Sequence, residues 1–153
     1  MTRMLLALLL ALPLIAEPPD LEQQIFIKTN QERLKLGLTP LKNASVLADC
    51  ARQHSQEMFE LGYFSHVSPT PGRATTRDRV NAFGVTSHTM GENIFMCSGQ
   101  KLEDVPQLTI KRLMSSPSHR ENILSTNFTS LGVGVYVSGP NVYVTQVFSA
   151  DLE

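Results

Sequence analysis

What the chain lacks narrows its chemistry. An excess of charge of either sign is missing: 153 residues carry 13 Lys and Arg against 14 Asp and Glu, a formal net charge of −1. Without a basic run there is no electrostatic case for nucleic acid or an anionic membrane as partner, since both rest on clustered cations. Cysteine is scarce, Cys50 and Cys97 being the two in the sequence, so no paired CxxC motif exists. Also absent are a phosphate loop, an HExxH helix and a GxSxG turn, the locally legible signs of phosphate binding, zinc proteolysis and serine hydrolysis. No internal repeat or low-complexity segment occurs either.

Long apolar runs are confined to one place, residues 4–16 (MLLALLLALPLIA). A membrane-crossing helix needs roughly 20 such residues. With Arg3 before it and Glu17-Pro18-Pro19 after it, the run reads as the core of a signal peptide over residues 1–16. A secreted or periplasmic product without a transmembrane anchor is therefore expected, and no cysteine follows that could carry a lipid. Residues 20–150 then form one domain, long enough to bury about two thirds of its unfolded surface. In an oxidising compartment a Cys50–Cys97 disulfide is the expected state, and two buried thiols are the alternative. Such a bridge would stabilise by about 4 kcal/mol in the chain-entropy model.

Periodicity gives the coarse order of elements. Asp20 caps a predicted helix from Leu21, whose Leu21, Ile25, Thr29 and Arg33 fall on one line; Gly37 and Pro40 end the segment. A second helix is predicted over Ala44 to Leu61, with Leu47, Cys50, Ala51, His54, Met58 and Leu61 on one stripe. Residues 63–73 read as a surface loop, Thr75 to Phe83 as a short helix, and Asn93 to Met96 as a strand. Helical spacing returns from Leu102 to Leu113, and Ser116-Pro117 opens another short helix to Leu124. Alternating valines on either side of Ser138-Gly139-Pro140-Asn141 predict a closing hairpin. Early helices and late strands argue for an α+β domain with an antiparallel sheet covered by helices.

The four histidines are weighed singly. His54 lies on the apolar stripe and reads as a satisfied core histidine; His88 reads as a solvated loop residue. His66 sits in the turn-rich loop. His119 stands in the first turn of a helix, where the macrodipole favours a neutral ring suited to a metal ligand or general base. Glu92 follows Gly91 at the mouth of a strand. The separations of these three carry no metal-ligand signature.

Several segments, taken together and in order, say more: NQERLKLGLTPL, LADCARQHSQEM, GYFSH with SP following, DRVNAFG, GENIF, SPSHRENIL, FTSLGVGVYV and YVTQVF. From about Gln24 to Phe148 the chain resembles the CAP family (cysteine-rich secretory, antigen 5 and pathogenesis-related proteins), also called SCP domains, in its compact bacterial form. The resemblance implies a three-layer α-β-α sandwich with a small, mainly antiparallel sheet between helices. It also implies a cleft in which His66, Glu92 and His119 converge, with His66 and His119 holding Zn²⁺ or another divalent cation weakly. Glu92 would orient a histidine rather than bind the metal. The alternative is a histidine–carboxylate network that braces the cleft without metal.

The chain departs from the larger members in one respect. It reads KRLMSSPSH, with Leu113 where a tryptophan is usual and no acidic residue between Asp104 and His119. A mechanism needing two carboxylates is therefore not expected. Asn93 is expected to face inward and satisfy backbone groups, and Arg79 and Arg120 to pin loops through carbonyls or carboxylates. Ser65 and Ser118 adjoin the histidines, but sequence neighbours usually point apart, so a serine nucleophile is a weak reading. The favoured function is a secreted binding module for a small-molecule, lipid or peptide ligand; the second is a metal-dependent extracytoplasmic hydrolase or protease. A purely structural surface protein is the third.

Overall fold

A computed structural model of the chain describes residues 20–150; the signal-peptide reading of residues 1–16 lies outside them. Helix α1, Leu21–Lys35, starts where the Asp20 side chain accepts the N–H of Gln23, and buries Leu21, Ile25, Thr29 and Arg33 as the spacing predicts. Helix α2, Ser45–Glu60, buries Leu47, Cys50, Ala51, His54, Ser55 and Met58. Leu61 does not continue that stripe: it is the C-cap and exposed, and Gly62 follows at φ 67°. Helix α3, Thr76–Ala82, opens with a reciprocal capping box between Thr75 and Asp78.

Strand β2, Met90–Ser98, is longer than its apolar centre suggests, because all nine residues pair antiparallel with β4, Asn141–Ser149. A 3-10 turn at Leu102–Asp104 leads into helix α4, Val105–Ser115, and Pro117 opens helix α5, Pro117–Leu124. Ser116 occupies the N-cap of α5 without a side-chain capping bond. Strand β3, Ser130–Ser138, forms the expected hairpin with β4 across Gly139-Pro140, Gly139 taking φ 54°. The two-residue strand β1, Lys42–Asn43, pairs parallel with the start of β3 and completes the order β1-β3-β4-β2.

Side chains alternate across this sheet and divide the core in two. On one face Leu131, Val133, Val142, Val144 and Phe148 pack with Ile25 of α1, Val105, Ile110 and Leu113 of α4, and Ile123 of α5. On the other, Val147 packs with Leu47, Cys50 and Ala51 of α2 and Val80 of α3. The three-layer sandwich follows. Helix α2 lies directly on β3: a Cβ at Gly132 would meet Leu47 backbone carbon at 2.2 Å, and one at Gly134 would meet Arg52 nitrogen at 2.0 Å. Only glycine permits that approach. Among the described residues, no helix is long and apolar enough to cross a membrane.

The expected disulfide does not form. Cys50 and Cys97 are both free thiols, and the sheet separates them. Cys50 belongs to the cluster under α2 and α3, whereas Cys97 packs against the cluster under α1, α4 and α5. With one thiol on α2 above the sheet and the other leaving β2 on the opposite face, the two cannot meet without rebuilding the strand.

Candidate functional site

The third residue of β2, Glu92, projects onto the α2–α3 side of the sheet and is 8% exposed. A buried carboxylate needs partners, and it has them on both oxygens. Its Oε1 lies 2.8 Å from Nδ1 of His66, and its Oε2 accepts from Nη2 of Arg79 at 2.5 Å. His54 approaches less closely, with Nε2 3.8 Å from Oε1. Burial pushes the Glu92 carboxyl up, but the His66 hydrogen bond and the charges of Arg79 and His54 outweigh it, leaving it below the ordinary carboxylate value. Glu92 is therefore a resident anion.

Arg79 ties this carboxylate to the loop that carries His66. It is wholly buried, and its Nη1 donates to the carbonyls of His66 at 3.1 Å and of Arg73 and Ala74, both at 3.3 Å. That is the loop-pinning role expected of it. Arg120 has no such role: it is exposed, and its guanidinium makes no hydrogen bond or ion pair among the described residues. His54, fully buried as expected of a core histidine, places Nε2 3.1 Å from the Ser65 carbonyl. A carbonyl only accepts, so Nε2 carries the proton. Burial holds the His54 ring below its ordinary pKa. His88 is exposed, as expected.

On the far side of the cleft, His119 is the third residue of α5. Its carbonyl accepts from Nδ2 of Asn93 at 3.1 Å, while Asn93 Oδ1 accepts from Asn122 at 2.9 Å. Asn122 also donates to the Glu92 carbonyl at 3.2 Å. Asn93 thus satisfies backbone and side-chain groups at once and fastens α5 to β2. Close approach here needs Gly91, because a Cβ there would sit 2.7 Å from the Phe128 ring. Burial, and then the charge of His66, lower the pKa of His119. Its position at a helix N-terminus acts in the same direction.

His66, Glu92, Ser118, His119 and Thr76 line one open cleft of about 350 Å³. The structure joins His66 to Glu92 directly; His119 lines the same cleft without bonding to either. Nδ1 of His66 is committed to the carboxylate, so in the Nδ1-protonated tautomer its Nε2 is the nitrogen with a free lone pair. His119 also lines an adjoining apolar groove of about 310 Å³ with Phe64, Ile94, Phe95, Met96 and Leu113. Ser65 spends its hydroxyl on the Val67 N–H, and Ser118 Oγ faces Ser116 Oγ at 3.5 Å, so neither serine is set against a histidine as a nucleophile. Among the described residues, no group of three or more His, Cys, Asp or Glu is arranged to hold a metal ion. Arg79 and His54 are the members of the network that sequence reading left unconnected to Glu92. The motif positions marked Arg79 as a pin, but nothing local pointed to its partner 13 residues on.

Comparison with known proteins places this architecture. Residues 26–148 match the family model for CAP, the cysteine-rich secretory protein family. The chain is 42% identical over 125 residues to the uncharacterised protein YkwD of Bacillus subtilis (strain 168), covering 82% of this chain and 46% of that protein. It is 36% identical over 127 residues to the uncharacterised membrane protein YlbC of the same organism, covering 83% and 34%. Among solved structures, an extracellular protein containing an SCP domain from Bacillus anthracis str. Ames aligns with a TM-score of 0.73 at 37% identity, over 86% of this chain and 40% of that one. The chain therefore spans less than half the length of these relatives.

Proposed function

This chain belongs to the CAP family of cysteine-rich secretory proteins, and on that premise we propose that it is a secreted binding module whose cleft holds a small-molecule, lipid or peptide ligand beside a weak divalent-cation site. Secretion is supported by the apolar leader at residues 4–16 and by the B. anthracis relative described as extracellular. A binding role is supported by a polar cleft running into an apolar groove, His119 forming the boundary of both. Such a pairing of a few oriented polar groups with apolar surface suits a ligand with a polar head and an apolar body.

The observation that carries the reading is the pairing of Glu92. With Oε1 on His66, Oε2 on Arg79 and only 8% of the residue exposed, a metal or a substrate proton would have to compete with partners already in place on both oxygens. It acts instead as the group that turns His66, so that Nε2 is presented to the cleft. His66 and His119 are the two residues that would hold Zn²⁺ or another divalent cation. Two neutral imidazoles fit such an ion as donors, but they leave most of its coordination sphere to water, which makes the site weak. When bound, the cation would polarise an oxygen of the ligand. A hydrolase reading that uses Glu92 as general base meets a carboxylate already paired and held below its ordinary pKa.

Calorimetric titration of the exported chain with Zn²⁺ tests the reading. One weak equivalent bound by the wild type and lost in His119→Ala, with His88→Ala unchanged, is the expected result. Equal binding by all three proteins, or none by the wild type, would overturn the cation site.

A further inference from the structure

A second cavity, of about 290 Å³ with a mixed polar and apolar lining, lies at the end of α1 and shares no lining residue with the histidine cleft. Arg33 forms its inner wall at 2% exposure, with Thr39, Lys42, Thr126 and Thr129 at its rim and Phe128 and Pro40 as apolar surface. Arg33 Nε donates to the Thr39 carbonyl at 2.9 Å, and Nη1 donates to the carbonyls of Ile123 at 2.9 Å and Ser125 at 2.7 Å. Nη2 makes no hydrogen bond among the described residues, and no described carboxylate pairs with this guanidinium. Burial accordingly lowers its pKa. Arg79, the other fully buried arginine, has Glu92 as its counter-charge. Arg33 has only carbonyl dipoles.

A buried cation without an anion is costly, and the cost falls when an anion arrives. The surroundings fit one. Lys42 adds a second positive charge, and neither its ammonium nor the hydroxyls of Thr39, Thr126 and Thr129 are engaged in a hydrogen bond among the described residues. No acidic side chain lines the cavity. We infer that this cavity is a binding site for a phosphoryl group, held by Arg33 and Lys42, with the threonine hydroxyls as further donors. Arginine and lysine together recognise phosphate by planar N–H donors and by point charge, respectively. The volume and the Phe128–Pro40 surface leave room for an organic substituent, so phosphomonoesters should bind better than inorganic phosphate.

The probes are inorganic phosphate and phenyl phosphate, added at constant ionic strength to the isotope-labelled protein and followed by amide shifts. Saturable shifts at residues 39–42 and 126–129, stronger for phenyl phosphate, are expected. Lys42→Gln and the pair Thr126→Val with Thr129→Val should each weaken binding about tenfold, a change of ~1.4 kcal/mol. These rim residues are exposed, so the variants avoid the folding risk of replacing Arg33. Phosphatidic acid vesicles form a parallel arm. Binding to vesicles together with the soluble phosphomonoester identifies the phosphoryl group as the shared determinant. Absence of saturable shifts with both soluble probes, shifts scattered away from the cavity, or full affinity in the rim variants would each overturn the site. None of these outcomes depends on zinc, so failure here is distinct from failure of the His66–His119 reading.

Discussion

Nδ1 of His66 lies 2.8 Å from Oε1 of Glu92, across a separation of 26 residues. This contact couples a surface loop to the floor of the sheet. The same carboxylate takes Arg79 at 2.5 Å on its other oxygen, so one buried anion organises loop, helix α3 and strand together.

Replacing Glu92 by Gln should therefore cost stability as well as site geometry. The amide retains the shape but leaves the wholly buried Arg79 without a counter-charge. Loss of one partner from a buried pair predicts about 3 kcal/mol of destabilisation, read as a lower urea midpoint. A double replacement of Glu92 by Gln and Arg79 by Met should recover part of that loss. Additive effects in the double variant would mean that the two charges are not coupled.

Stability should fall on the acid side. The His54 ring is held below its ordinary value of 6.5 in the folded chain, so the unfolded chain takes up this proton first as pH falls. The stabilisation is complete above about pH 6.5 and declines below it, by at most about 1.4 kcal/mol per pH unit for this fully buried group. Glu92, held below 4.5, adds its own loss further down, as pH falls past the value at which the unfolded carboxyl protonates. Urea unfolding at pH 7.5, 6.0, 5.0 and 3.5 measures both trends, the lowest point being the one that reads Glu92. His54→Gln should flatten the change between the upper two points and the third; an equal slope in the variant would assign the effect elsewhere.

The free thiols make a third prediction. Burial pushes the Cys50 thiol up to about 11, and its side chain is sealed beneath α2. Alkylation of the native protein should label the partly exposed Cys97 first and reach Cys50 only on unfolding. Intact mass should show both thiol hydrogens. A mass lower by two hydrogens would contradict the placement of these residues on opposite faces of the sheet.

The sequence made the helices legible through residues whose burial repeats at every turn, as with Leu21, Ile25, Thr29 and Arg33. It concealed β1, because Lys42 and Asn43 are both exposed and their pairing depends on β3 almost ninety positions later. Strand β2 runs past the predicted Asn93–Met96 at both ends because Gly91, Glu92 and Ser98 are poor strand formers held there by β4. The candidate trio His66, Glu92 and His119 was accessible only through its family motifs, since long-range contacts leave no local spacing to read. The cysteine expectation failed for a reason present in the sequence. Cys97 stands an odd number of residues from Glu92, so strand alternation sends it to the face away from α2 and Cys50. Whether Glu92 finds His54 and Arg79 depended on how α2 and α3 pack, which periodicity does not encode.

The role given to Glu92 is tested most directly by the tautomer of His66, observed through long-range nitrogen–proton correlations of its imidazole at neutral pH. The neutral ring should carry its proton on Nδ1, leaving Nε2 bare, and added Zn²⁺ should shift Nε2 selectively. In Glu92→Gln that preference should weaken. A neutral His66 protonated on Nε2 in the wild type would contradict the arrangement, because the nitrogen facing the cleft would then be a hydrogen-bond donor with no lone pair to offer a cation.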